Sequence, residues 1–170
     1  MTNNKYKVNY ITQIAILSAL ATSLSVVDRV ISGTFLSIVP GIKIGIANVI
    51  VLYCIIKRDF KFSILIVILK TIISNLILGG FTSFFIGGTA SILSYLVMYY
   101  LYKKRKKNVH LITISIIGGF IHINTQLIVI SLIYNMGYEV YIYGFLLIII
   151  SIISSIIIGL TTQKLQKINI

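Results

Sequence analysis

Acidic residues are almost missing from this 170-residue chain: Asp28, Asp59 and Glu139 are the only three, and they lie in separate regions. Magnesium-dependent pyrophosphate chemistry needs clustered carboxylates to hold the metal, so the chain alone is not expected to perform it. Cys54 is the single cysteine and lies inside an apolar run. It cannot form an intrachain disulfide and is most simply a small packing residue. His110, His122 and one cysteine do not make up a zinc ligand set. There is no G-x-S-x-G, and Gly87-Gly88-Thr89-Ala90-Ser91 lacks the lysine that a phosphate-binding loop would place next. No catalytic residue, metal or cofactor is therefore expected, and any ATP hydrolysis must come from a partner. Proline is equally scarce. Pro40 stands alone, at an expected helix start where its missing N–H costs nothing.

Charge is low overall as well. Charged residues make up 11% and hydrophobic residues 58%, with a mean hydropathy of +1.03. A soluble domain has about 25% charged and roughly 45–50% apolar residues. The formal net charge of +12 would suggest nucleic acid if the basic residues shared one soluble face. They sit instead at the ends of apolar runs, where they orient helices in a membrane, so no nucleic-acid partner is expected.

Six such runs are present, at about Tyr10–Val27, Pro40–Ile56, Phe62–Leu78, Thr82–Tyr102, His110–Tyr134 and Val140–Leu160. A spanning helix takes about 17–25 residues. The second and third runs are near the lower limit, and the fifth is long enough to be tilted or broken. The first follows Lys5 and Lys7 as a signal peptide would, but with five more runs behind it Ile11 to Val27 reads as a retained helix. The expected fold is all-α: one polytopic membrane domain over 1–170, a bundle of six transmembrane helices. With the N-terminus in the cytoplasm, twelve of the fifteen basic residues fall inside: Lys5 and Lys7, the 57–61 and 103–107 connections, and Lys164 and Lys167. That bias supports a multi-pass protein of the cell membrane with both termini cytoplasmic. The longest connection, about Asp28–Val39, is long enough to fold over the outer mouth of the bundle.

Polar residues within apolar runs are the informative ones, because lipid gives them no partner. Lys70 lies halfway along its run, and Ser63, Thr71, Ser74 and Asn75 share its helical face. An ionised lysine at that depth costs roughly 2.5–3.5 kcal/mol, so the stripe should face protein or a cavity. His122 and Gln126 lie one turn apart on the fifth run. Asn48 lies about one and a half turns deeper than Lys43 on the second. The candidate substrate contacts are Lys43, Asn48, Lys70, Asn75, His122 and Gln126. With two lysines and no acid near them in sequence, an anionic solute is the guess. Asp28-Arg29 reads as an interface ion pair. Small residues at four-residue steps, such as Ala15 to Ala19 and Ser151 to Ser155 to Gly159, mark close helix contacts.

Several of these strings together resemble the Gx transporter family, also labelled heptaprenyl diphosphate synthase component I. They are Pro40-Gly41-Ile42-Lys43-Ile44-Gly45-Ile46-Ala47-Asn48, the helix with Lys70, the stretch from Gly87-Gly88-Thr89-Ala90-Ser91 to Met98, and Gly119-Phe120-Ile121-His122 with Gln126-Leu127. The resemblance runs in order from about Ala15 to Leu160. Lys70 stands where an Arg is commoner, and Ile123 and Thr125 interrupt a His-Asn-Gly-Gln string. The resemblance implies a substrate-binding (S) subunit of an energy-coupling factor transporter. Such a subunit binds a small solute near the outer face under a loop and associates with a transmembrane coupling subunit and two ATPases. It further implies Ala15 and Ala19 as the partner-facing surface. The alternative is the literal label: a non-catalytic component of a heptaprenyl or other polyprenyl diphosphate synthase, partnered by a soluble catalytic subunit.

The orientation is directly testable. In a Cys54→Ser background, Lys106→Cys is expected to react with a membrane-impermeant maleimide in inside-out vesicles and to stay unlabelled in intact cells.

Overall fold

Lipid offers backbone N–H and C=O groups no partner, so apolar runs of this length satisfy them internally by forming helices. The structure, a computed structural model, describes residues 2–35, 44–78, 80–104, 110–137 and 139–167. Six helices follow in order: α1 (Thr2–Phe35), α2 (Asn48–Lys57), α3 (Phe60–Leu78), α4 (Phe81–Lys104), α5 (Leu111–Tyr134) and α6 (Glu139–Lys167). All but α2 are long and apolar enough to cross a membrane. Their outward faces are hydrocarbon: Ile16, Leu20, Ile128, Ile153 and Ile157 are each about half exposed. In water such a surface would aggregate, whereas in a bilayer it is solvated. The chain is a multi-pass membrane protein.

Three sequence expectations change. The first outer connection does not begin at Asp28: α1 continues to Phe35, and Asp28 is a buried helical residue. The second run is not helical from Pro40. Pro40 itself lies outside the described residues, but residues 44–47 form a non-helical turn and α2 starts at Asn48. At 1.5 Å per residue α2 is about 15 Å long, half the thickness of a hydrocarbon core. The third change is that α5 runs unbroken over its 24 residues.

Short as it is, α2 lies at the centre. It packs against α1, α3, α4 and α6, and Val51, Leu52, Cys54 and Ile55 are fully buried. Around its C-terminal half, Val67, Tyr95, Met98 and Ile114 join Leu52 and Ile55 in one apolar cluster. A second cluster closes the opposite end of the bundle, with Ile86, Ile123, Leu127, Ile130 and Leu147. The polar residues lie between the two.

Small residues set the tightest contact, between α5 and α6. Ser115 Oγ donates to the Ser155 carbonyl at 2.7 Å, and Ser151 Oγ to the Gly119 carbonyl at 3.1 Å. Gly159 comes closest to a neighbouring backbone: a Cβ there would lie 2.7 Å from Ile112 Cα, which cannot swing away. Gly159→Ala should therefore force the helices apart and destabilise the fold by about 1–3 kcal/mol. Gly88→Ala, whose added methyl meets Thr71 Cγ2 at an ordinary 3.4 Å, should stay near wild type. Thermal unfolding of both variants in detergent checks the contrast.

Candidate functional site

The turn before α2 raises an accounting question, because non-helical backbone at membrane depth must find partners inside the protein. Asp28 is the answer. Its Oδ2 accepts the N–H of Gly45 at 2.7 Å and of Ile46 at 3.1 Å, and its Oδ1 accepts the N–H of Ile44 at 3.2 Å. Successive N–H groups converge on one anion when the chain curls into a concavity, and a positive φ produces such a curl. Gly45 has φ +99°, a conformation side chains resist, and a Cβ there would press on Asn48 Nδ2 at 3.0 Å. Both features of Gly45, its backbone freedom and its lack of a side chain, are used.

Behind this anchor lies a chamber lined by Asp28, Asn48, Lys70, Thr71, Ser91 and His122, contributed by α1 through α5. Lys70 is 4% exposed, and its Nζ donates to Asn48 Oδ1 at 3.2 Å. The His122 ring lies close to Gly45: a Cβ there would come within 3.8 Å of His122 Cδ2. Thr71 Oγ1 is buried and, among the described residues, has no hydrogen-bond partner. The space open to a water-sized sphere is about 10 Å³, enough for about one water. Any larger ligand must widen the chamber.

Among the sequence-derived candidates, Asn48, Lys70 and His122 come together here. Asn75 is buried but faces elsewhere: its Nδ2 donates to the Thr71 carbonyl at 2.6 Å, and it lines a separate cleft with Phe81 and Phe84 at the α3–α4 end. Gln126 is fully buried one turn beyond His122 and does not line the chamber. Lys43 lies outside the described residues. Ala15 and Ala19 are exposed on α1, away from the chamber. The sequence does not single out Asp28 as a site residue, because a first run ending at Val27 leaves the acid in a loop. An acid inside a continuous apolar helix is by default a functional candidate. Its presence also removes the charge argument for an anionic solute, since a carboxylate and an ammonium line the same small space and offset each other.

The family model described as heptaprenyl diphosphate synthase component I matches residues 17–165. The chain belongs to this family. The matched segment contains every chamber residue named above. No curated protein and no solved structure matches the chain.

In this member of the heptaprenyl diphosphate synthase component I family, Asp28→Ala strands three N–H groups, that of Gly45 buried and those of Ile44 and Ile46 half-buried. Charge-assisted hydrogen bonds are individually worth about 1.5–3 kcal/mol, so a loss on the order of 3 kcal/mol is expected. Ser32→Ala, which removes only a 3.4 Å contact to Asp28 Oδ1, should be nearly neutral. Unfolding curves of the two variants in micelles decide the point.

Proposed function

We propose that this protein is the substrate-binding membrane subunit of an energy-coupling factor type transporter in the cell membrane, with both termini cytoplasmic. The observation that carries this reading is the closed polar chamber at mid-bundle. A buried lysine is costly in lipid, and its cost is most simply repaid by a ligand or a permanent polar cluster. The chamber gathers five helices around Lys70, Asn48 and His122, retains the unpartnered Thr71 hydroxyl, and is walled on one side by a turn rather than a helix. Such a site suits a small polar group with balanced charge. Family membership agrees with a protein of this architecture.

Two features favour a partner-driven cycle. Thr12, Ala15, Ala19 and Ser23 form an exposed stripe along α1. The Thr12 and Ser23 hydroxyls are turned back onto the carbonyls of Val8 and Ala19. Small, self-satisfied residues on a lipid-facing helix allow another helix to approach closely. That face suits a coupling subunit, with ATP hydrolysed by further subunits. The chain itself acts as no enzyme in this reading.

The family's printed description favours a second reading, an accessory component of a polyprenyl diphosphate synthase. The chamber argues against pyrophosphate as its occupant. Lys70 is offset by Asp28, and two phosphates bring several negative charges.

Co-reconstitution with candidate coupling and ATPase subunits tests the proposal. Lys70→Met and Asn48→Ala should reduce ATP-dependent solute uptake on the order of tenfold or more while the complex still assembles. Ala15→Trp with Ala19→Trp should block assembly yet leave solute retention by the isolated protein intact. Recovery of a soluble prenyl synthase in place of ATPases, with synthase activity dependent on this chain, would overturn the transport reading.

A further inference from the structure

α1 packs on α3 and α2, and α6 on α5 and α2, leaving a gap between α1 and α6. That gap is a groove of about 640 Å³. Leu24 stands on its α1 side, Ile44, Ile46 and Val49 form its floor, and α6 contributes a face from Ile150 to Thr161. The walls are branched aliphatic, and Ser154 and Thr161 bring the only hydroxyls among the lining residues. Ile153 and Ile157 are more than half exposed along it, so the groove opens to the surface that lipid covers. From Ile150 to Thr161 the α6 wall runs about 16 Å at 1.5 Å per residue. One leaflet of a hydrocarbon core is about 15 Å thick, so the groove is as long as one lipid tail is deep.

The end of the groove selects the lipid. Ile150, Ile153, Ile157 and Thr161 follow one another at three- and four-residue steps, and the next step on that face is Lys164. Lys164 and Lys167 are both exposed near the end of α6. Other basic residues gather at the same end of the bundle. Gly159 of α6 packs on Ile112 near the start of α5, which a short connection joins to the end of α4. Tyr102 of α4 in turn donates to the Ile56 carbonyl of α2 at 3.4 Å. Those contacts place Lys57, Arg58, Lys103 and Lys104 at the end where α6 finishes. Asp59 is the only acid there, since Asp28 lines the chamber and Glu139 begins α6 at the opposite end.

We propose that this groove is a site for one anionic phospholipid of the leaflet at the C-terminal end of α6, the cytoplasmic one in the orientation proposed above. One acyl chain lies along the groove, and the phosphate and headgroup meet Lys164 and Lys167. Nothing in this depends on what the chamber holds. The aliphatic walls suit a hydrocarbon chain and offer a polar solute almost nothing to bond. Lysines at the surface attract anionic headgroups, each adding to the binding. A second helix fits the groove poorly, because close helix contacts use small residues. On α1 the exposed small residues run through Thr12, Ala15, Ala19 and Ser23, none of which lines the groove.

The test uses the full chain in phosphatidylcholine nanodiscs doped with phosphatidylglycerol that carries a diazirine in one acyl chain, followed by peptide mapping after irradiation. Adducts are expected on 44–49 and 150–161, in excess over the exposed Leu93 and Leu96 of α4, which lie towards the same end of the bundle. Unlabelled phosphatidylglycerol should compete for them, and added phosphatidylcholine should not. Lys164→Gln with Lys167→Gln should lower groove labelling on the order of tenfold, and Lys164→Arg with Lys167→Arg should keep it. Ser154→Phe fills the groove and should lower labelling on the order of tenfold, whereas Ser154→Ala should preserve it. The lysine pair is exposed, so its substitution leaves the fold intact and the test stands even if Ser154→Phe does not fold. Labelling no stronger than at Leu93 and Leu96 means bulk lipid only and overturns the proposal. Equal groove labelling by a phosphatidylcholine carrying the same diazirine, or full labelling of the Gln pair, removes the selection for an anionic head and also overturns it. In a Cys54→Ser background, disulfide trapping of Ser154→Cys between two copies would show the groove filled by a second chain, and the lipid falls.

Discussion

One carboxylate holds the middle of this protein together. Asp28 gathers three consecutive backbone N–H groups of the 44–46 turn, which would otherwise lie at membrane depth without partners. The contact ties the C-terminal part of α1 to the approach of α2, sixteen to eighteen residues away in sequence. The polar chamber lies beside that turn and the first residue of α2. Asn48 stands at the first position of α2, where it meets the Lys70 ammonium of α3.

The remaining helices divide into a tight and a loose side. On the tight side, glycines and serines bring α5 and α6 together through side-chain bonds to the carbonyls of Gly119 and Ser155. Ser94 of α4 adds another, to the Gly118 carbonyl at 2.8 Å. These are close approaches in which even one methyl is felt. On the loose side, α1 and α6 stand apart, with the groove between them floored by the 44–49 segment. A polar chamber and an apolar groove lie on opposite faces of the same short turn. The same α1 that walls both spaces presents its small residues to the lipid. A change in the position of α1 would therefore be felt at the chamber, the groove and the exposed stripe together.

Much of the architecture was legible because the bilayer restricts the choices. Runs such as Phe62–Leu78 and His110–Tyr134 have the length and hydropathy of spanning helices, and helices appear there within a few residues of the expected limits. Lys70, Asn48 and His122 stood out for the same reason: each is a polar group where lipid would penalise it. The expectation that small residues mark helix contacts fits Ser151, Ser155 and Gly159, all on the tight α5–α6 side. The second run misled, because a stretch of apolar residues reads alike whether it forms a helix or a buried turn. Gly45 carried the local signal of a break, yet Gly is also common within membrane helices.

Apolar run lengths and the placement of lysines therefore settle the class of protein, because hydropathy and backbone satisfaction act locally along the chain. Which polar groups share a cavity is a different matter, since it depends on contacts between residues far apart in sequence. Asp28 and Lys70 are forty-two residues apart, and nothing local to either shows that they line one space. Asn75 and Gln126 share faces with chamber residues yet miss the chamber, because a single helical turn moves a side chain about 5 Å along the axis. The pairing of chamber and groove likewise follows from helix packing, which decides where neighbours touch and where they leave a gap.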